Sequence, residues 1–315
     1  MRRVTLSAPA KLNLHLGIYS QLDHRRYHRA DSLMVALDLC DEVTVEELPA
    51  GSSGGDAPGG NVWGDAPGGG APGGDVPQLV CTPPVDVPAH KNTAYRAAVA
   101  LAERLGRVPA VRISLTKRVP DQAGMGGSSS DAASVLRALC ELWGVSVADK
   151  LVEDAARSVG ADVPFFLDPV PTLLVGAGDV VGEKFAAFGE PISVVLVRPT
   201  GPGVSTPAAY AAFDESPTEP ASPDELCAVL RGGHVRASDV AAHLYNNLDP
   251  VACRLLPAVQ EARAWLLAQD DVLGGQVTGS GSCVFGICAS DESAEAVAHA
   301  ARERLSAWSC AAHIV

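Results

Sequence analysis

No stretch of this chain approaches the roughly 18 to 20 consecutive apolar residues that a membrane-spanning helix needs. Basic residues are also scarce. Lys and Arg total 24 against 37 Asp and Glu, a net charge of −13, which argues against broad attraction to nucleic acid or to an anionic membrane. An anionic ligand would need a local basic pocket. The segment after Arg2-Arg3 lacks the apolar core of a signal peptide, so a cytoplasmic protein is expected. The eight cysteines include no C-x-x-C pair. Cys140, Cys283 and Cys288 lie inside apolar segments, so reduced thiols packed as small hydrophobes are expected rather than disulfides or metal ligands.

Two common nucleotide fingerprints are missing as well. No Lys follows a candidate glycine as a P-loop requires, and after Gly279 and Gly281 the third place of a dinucleotide fingerprint is Val284.

What is present begins with Lys117–Asp131, reading KRVPDQAGMGGSSSD. It leaves an alternating segment (Val111, Ile113, Leu115) and enters a helical pattern (Ala132, Val135, Leu136, Leu139, Leu142, Trp143). A strand, a small-residue turn and a helix start gather backbone N–H groups at the positive end of a helix, which suits an anion. Gly124, Gly126 and Gly127 allow close backbone approach, and Ser128, Ser129 and Ser130 are hydroxyl donors and candidate N-caps. A glycine-rich connector with no ligand reads equally well from composition alone.

Along the chain, residues 4 to 18 predict a short strand, a turn at Ala8-Pro9 and an apolar segment carrying Lys11, Asn13 and His15. His24-Arg25-Arg26-Tyr27-His28-Arg29 is the densest positive cluster and reads by itself as a solvated loop. A strand is predicted over 41–48. Residues 49 to 77 are nearly all Gly, Ala, Pro, Asp and Ser, with DAPGG repeated, and predict a flexible insertion without chemistry. Asn92 is the expected cap of a helix ending at Gly106, and another helix is predicted over 149–159. Asp162, between Gly160 and Pro164, reads as a turn former or cap. Strands are predicted over 173–175 and 192–197, and a Pro-rich polar stretch over 199–223. Helices follow near 224–231 and 250–268, the latter with Asp249 as N-cap, then the small-residue turn Thr278–Ser282, a strand over 283–288 and a final helix over 292–305.

Four motifs occur in order: P-A-K-L-N-L at 9–14, P-x-x-x-G-M-G-G-S-S-S-D at 120–131, G-A-D-V-P at 160–164 and T-G-S-G-S-C-V-F at 278–285. Together they resemble the GHMP kinases (galacto-, homoserine, mevalonate and phosphomevalonate kinases) over nearly the whole chain outside 49–77. The resemblance implies a two-domain α+β GHMP kinase fold. Its N-terminal domain, expected over 1–169, would be ribosomal-protein-S5-domain-2-like, and its C-terminal domain, over 170–315, a ferredoxin-like α/β sandwich. It implies ATP with Mg²⁺, bound through Pro120, Asp121, Gln122, Ala123, Gly124, Met125, Gly126, Gly127, Ser128, Ser129 and Ser130. It implies Asp162 as the base that takes the substrate hydroxyl proton, and Lys11 as the neighbouring cation that favours the ionised aspartate and the developing alkoxide.

The start motif, the Tyr27-His28 pair and G-A-D-V-P point within the superfamily to a cytidine diphosphate-linked methylerythritol as substrate, phosphorylated on its 2-hydroxyl. By the same resemblance Tyr27 and Tyr210 stack on the two faces of cytosine, His28 reads the base edge, and Asn13 and Thr206 line the substrate pocket. Another small alcohol, or a catalytically inactive nucleotide-binding relative, are the alternatives. A monomer or weak homodimer is expected. Two departures stand out. Arg25-Arg26-Tyr27-His28 replaces the family's D-G-Y-H, which would alter the bend and turn arginines toward the diphosphate. Asp121-Gln122-Ala123 replaces smaller residues, which requires Asp121 to point away from the phosphates.

Overall fold

The computed structural model describes residues 1–49 and 77–315. The insertion expected at 49–77 lies, apart from its two end residues, outside them. The chain divides into two compact units. Unit 1 comprises 1–9, 40–119 and 126–168, and unit 2 comprises 10–39, 120–125 and 169–315.

Strands β1 (Arg3–Leu22) and β2 (His28–Glu47) contribute residues to both units. Each is longer than the sequence predicts. The turn expected at Ala8-Pro9 is absent because the fixed φ of proline is compatible with extended backbone. The second strand begins at His28, not Asp41, so the basic cluster is a tight turn between paired strands.

In unit 1 these are joined by β3 (Gln78–Thr82), helix α1 (Thr93–Leu105), β4 (Val111–Thr116), α2 (Gly127–Trp143) and α3 (Lys150–Val159). β4 lies between β2, antiparallel, and β3, parallel. Val111, Ile113 and Leu115 alternate inward on it, as a half-buried strand should. The Asn92 side chain accepts from the amide of Ala94 and Gly106 ends α1 at φ 61°. Asp149 caps α3 in the same way as Asn92 caps α1. α2 departs from expectation at its start. Its N-cap is Gly126 at φ 70°, with no side-chain cap, and Ser128–Ser130 lie within the first turn.

Unit 2 continues with the hairpin β5 (Thr172–Val175) and β6 (Val180–Lys184), then β7 (Ile192–Arg198) and helices α4 (Thr206–Asp214), α5 (Asp224–Arg231) and α6 (Ala237–Ala242). A short strand β8 (Tyr245–Asn246) precedes α7 (Asp249–Leu255) and α8 (Pro257–Leu267), followed by β9 (Val272–Val277), β10 (Val284–Cys288), α9 (Asp291–Leu305) and β11 (Trp308–Ile314). The order β2-β11-β7-β10-β9 forms an antiparallel sheet. Val195, Val197 and Val284 from it pack with Val259 and Leu266 of α8 and Ala298 and Ala301 of α9.

Three corrections concern this unit. The stretch 199–223 contains α4, with Ser205 as N-cap and a proline in its first turn. The helix predicted over 250–268 is two helices, broken ahead of Pro257, and Asp249 is its first residue, with Leu248 at the cap. β6, α6, β8, β9 and β11 lie where the sequence predicts no element.

No disulfide links any of the eight cysteines. Burial pushes the Cys140 thiol up to about 11 and that of Cys288 up to about 12, so both stay protonated. Among the described residues no helix is long and apolar enough to cross a membrane.

Candidate active site

Lys11 and Asn13 are alternate residues of β1 and both are buried. Lys11 donates from Nζ to Asn13 Oδ1 at 2.5 Å, and Asn13 Nδ2 donates to Ser32 Oγ at 2.8 Å. The Asn13 amide donates to Thr278 Oγ1 at 3.2 Å. A buried ammonium is tolerated only with polar company, and this network is part of it.

The two small-residue turns of unit 2 meet beside that network. Cys283 N donates to Ala123 O at 3.1 Å and Ser282 N to Gln122 O at 3.4 Å. Gly124 has φ 76°, and a Cβ on it would lie 2.2 Å from the carbonyl oxygen of Thr278. A Cβ on Gly279 would come within 3.4 Å of Lys11 Nζ. Glycine is therefore required at 124 by conformation and by space. Asn246 Nδ2 donates to Val277 O and Gly279 O, and Gln276 Nε2 to Asn13 O, which fastens the 278–282 turn along β1. Met125 O accepts from the Lys11 amide at 2.9 Å.

The remaining residues of the 120–130 segment, 126–130, belong to unit 1. Gly126 O accepts from the amides of Ser129 and Ser130 at 3.0 and 2.9 Å. Ser128 is exposed, while Ser130 is fully buried and its Oγ has no hydrogen-bond partner among the described residues. Asp162 is half-buried in the turn that follows α3. That turn starts beside Ser129, since a Cβ on Gly160 would lie 3.9 Å from Ser129 Oγ.

The aromatic cluster is in unit 2. His28 is held through Nδ1 at 2.8 Å from the carbonyl oxygen of Tyr19, which can only accept, so the proton is on Nδ1. Its Nε2 is 3.2 Å from Asp214. The His28 ring lies 5.4 Å from that of Tyr210 and 5.9 Å, edge-on, from that of Phe213, both carried by α4. Thr206, the first residue of α4, is 3.0 Å through its hydroxyl from Ser280 Oγ. Tyr27 is 61% exposed at the β1–β2 turn.

The residues of both departures from the family pattern lie in unit 2. Arg26 adopts φ 66°, a left-handed conformation that glycine takes up more readily. Arg25 pairs with Asp23 at 2.8 Å and Asp179 at 2.7 Å. Asp121 is exposed, and Gln122 is left-handed at φ 52°.

Comparison with known proteins decides the family. The family models "GHMP kinases N terminal domain" and "GHMP kinases C terminal" match residues 92–168 and 231–307. A protein of Geobacter sp. (strain M21) named 4-diphosphocytidyl-2-C-methyl-D-erythritol kinase is 35% identical over 99% of both chains. The chain belongs to the GHMP kinases. A protein of the same name from Polaromonas sp. (strain JS666 / ATCC BAA-500) is 37% identical over 90% of this chain and 83% of its own. Among solved structures, a 4-(cytidine 5'-diphospho)-2C-methyl-D-erythritol kinase superposes with TM-score 0.74 at 31% identity, covering 98% of each chain. A homoserine kinase from Cytophaga hutchinsonii, TM-score 0.67 at 17% identity, shares the fold.

Among the described residues this GHMP kinase carries a buried charged cluster that the sequence reasoning missed. Lys117 Nζ binds Asp41 Oδ2 and, at 2.6 Å, Asp131 Oδ2. Lys117 and Asp131 bound the stretch that drew attention first, yet nothing in their spacing showed that they meet. Asp41 comes from a strand whose start was misplaced.

Proposed function

We propose that this GHMP kinase transfers the γ-phosphoryl group of ATP to the 2-hydroxyl of 4-diphosphocytidyl-2-C-methyl-D-erythritol, giving the 2-phosphate. The observation that carries the substrate is the aromatic cluster: His28, oriented by the Tyr19 carbonyl oxygen and 5.4 Å from Tyr210, next to exposed Tyr27. Aromatic faces with one oriented imidazole suit a pyrimidine. The full-length likeness to kinases bearing that substrate's name supports the same reading.

In this reading Asp162 accepts the hydroxyl proton and Lys11 stabilises the alkoxide as its charge develops. Asn13 orients Lys11 through their 2.5 Å contact, and Asn13 and Thr206 line the pocket for the alcohol. The 120–130 segment holds the ATP phosphates. It fits an anion, since Gly124 and Gly126 present left-handed backbone and the buried Ser130 hydroxyl has no partner among the described residues. Mg²⁺ bound to those phosphates would offset their charge. The work would be divided between an N-terminal domain over 1–169 and a C-terminal domain over 170–315, in a cytoplasmic monomer or weak homodimer.

A panel of alcohols in a coupled ADP-release assay tests the proposal. The diphosphocytidyl compound should be used with a kcat/KM at least 100-fold above homoserine or mevalonate, the range that desolvated polar recognition supplies. Equal or better use of either amino or carboxylic alcohol would overturn it.

A further inference from the structure

The sole side-chain ammonium of the Asp41–Lys117–Asp131 cluster sits between two buried carboxylates, with side chains 0%, 9% and 4% exposed in that order. Asp41 also accepts from the backbone amides of Arg118 and Val119 through its second oxygen. A Cβ on Gly127 would lie 3.1 Å from Val119 Cγ1 and 3.6 Å from Asp41 Oδ2. The end of the β4 segment and the start of α2 are thus fastened to each other from within unit 1. Asp131 stands just past the first turn of α2, and helical side chains lean back toward the N-terminus. Its carboxylate therefore lies beneath the turn that carries Ser128–Ser130. Its Oδ1 is buried and has no hydrogen-bond partner among the described residues.

With Asp131 ionised, two anions and one cation leave this place with one surplus negative charge, directly behind a helix end that would receive a triphosphate. We propose that Lys117 and Asp131 are positioning residues for that turn: Lys117 pins it through Asp131 Oδ2, and Asp131 takes up a proton on Oδ1 when the triphosphate binds. The proposal rests on the reading that the ATP phosphates sit at the start of α2. The proton comes from solvent and leaves the cluster neutral, without displacing Lys117. Burial, and the charge of Asp41, already push the Asp131 carboxyl up to about 7 against the pull of Lys117, so a nearby anion has little further to move it. Asp41 on β2 and Lys117, the residue after β4, are the charged groups that act on it. No charged side chain of α1, α3 or the 165–167 turn, which also pack on α2, does so among the described residues.

Affinity for MgATP is measured from pH 6 to pH 8 for the full-length protein and for Asp131→Asn, a near-isosteric change that fixes the neutral state. Because both proteins bind the same ligand, the ratio of their Kd values removes the titration of ATP itself. The ratio of wild type to variant should rise about threefold to tenfold over that interval, one pKa unit being a factor of ten. Calorimetry of MgATP binding at pH 7 in two buffers of different ionisation enthalpy should show more proton uptake by the wild type than by the variant. Lys117→Met should raise KM for ATP while leaving KM for the alcohol unchanged, and Lys117→Arg should restore most of the loss. A ratio independent of pH, with equal proton uptake, would overturn the proposal even if Lys117→Met fails to fold. Ser128→Asp separates the underlying reading. It should weaken MgATP at least tenfold if the phosphates sit there. If it does not, the phosphate reading and the proposal fall together; if it does while the ratio stays flat, only the proposal falls.

Discussion

A β-carbon on Gly124 would overlap the carbonyl oxygen of Thr278, at 2.2 Å, so the two small-residue turns of unit 2 touch where only a glycine fits. Gly124→Ala must separate those turns and adopt φ 76° against its preference. Because Thr278 also binds Asn13, the neighbour of Lys11, the disturbance reaches the proposed catalytic cation. We expect kcat/KM to fall roughly 10-fold or more, which corresponds to about 1.4 kcal/mol. Steady-state kinetics check this, and an unimpaired Gly124→Ala enzyme would contradict the packing described.

Arg26 and Gln122 hold left-handed backbone at φ 66° and 52° without being glycine. A left-handed non-glycine residue costs roughly 1–2 kcal/mol, and glycine's greater freedom in the unfolded chain offsets roughly 0.5–1 kcal/mol of the relief. Arg26→Gly and Gln122→Gly should each leave stability unchanged or raise it by up to about 1 kcal/mol, whereas Arg26→Val should lower it. Urea denaturation reads the sign. Loss of more than about 1 kcal/mol in Gln122→Gly would mean that its side chain matters more than its backbone.

How legible was this in the sequence? Helices α1, α2 and α3 and strand β4 followed from caps and periodicity, because Asn92, Asp149, Gly106 and the Val111-Ile113-Leu115 alternation are local signals. β9 was hidden by Gly274 and Gly275, which break the alternation. A Cβ at either would strike backbone, at 2.8 Å from Ala241 O and 2.4 Å from Phe285 O, so their reason is tertiary. The small residues of β11 concealed a strand that pairs with β7 along its full length. α4 did carry a readable signal in Ser205-Thr206-Pro207, masked by the surrounding prolines. The resemblance named residues for the site, but only packing showed that the 120–125 and 278–282 turns meet, or that Lys117 joins Asp41 to Asp131.

His313 links three elements of unit 2, binding Asp38 through Nδ1 at 2.7 Å and Asp291 through Nε2 at 2.9 Å. The hydrogen bond to Asp38, then that to Asp291, raises its pKa above the ordinary histidine value despite some burial. The raised folded value means that protonated His313 stabilises the native state. That contribution is complete below the unfolded pKa of about 6.5 and is lost as pH rises through the folded value. The melting temperature should therefore fall more steeply above pH 6.5 in the wild type than in His313→Gln. Parallel curves for the two proteins would show that the contacts contribute nothing. The effect should weaken in high salt, since the imidazole is partly exposed.

Tyr27→Ala and Tyr210→Ala address the base. Stacking of a base on an aromatic ring contributes roughly 1–3 kcal/mol. Each variant should raise KM for the diphosphocytidyl substrate about 5- to 150-fold with KM for ATP unchanged. A change confined to ATP would contradict the placement of cytosine against these rings.

The most direct test of the phosphoryl-transfer claim is ADP release measured with the purified diphosphocytidyl substrate, wild type beside Asp162→Asn. The wild type should release ADP in proportion to added substrate. The variant should lose about 10²- to 10⁴-fold, the usual worth of a general base, with ATP binding retained. ADP release that ignores the added alcohol, or an Asp162→Asn enzyme as fast as the wild type, would contradict it.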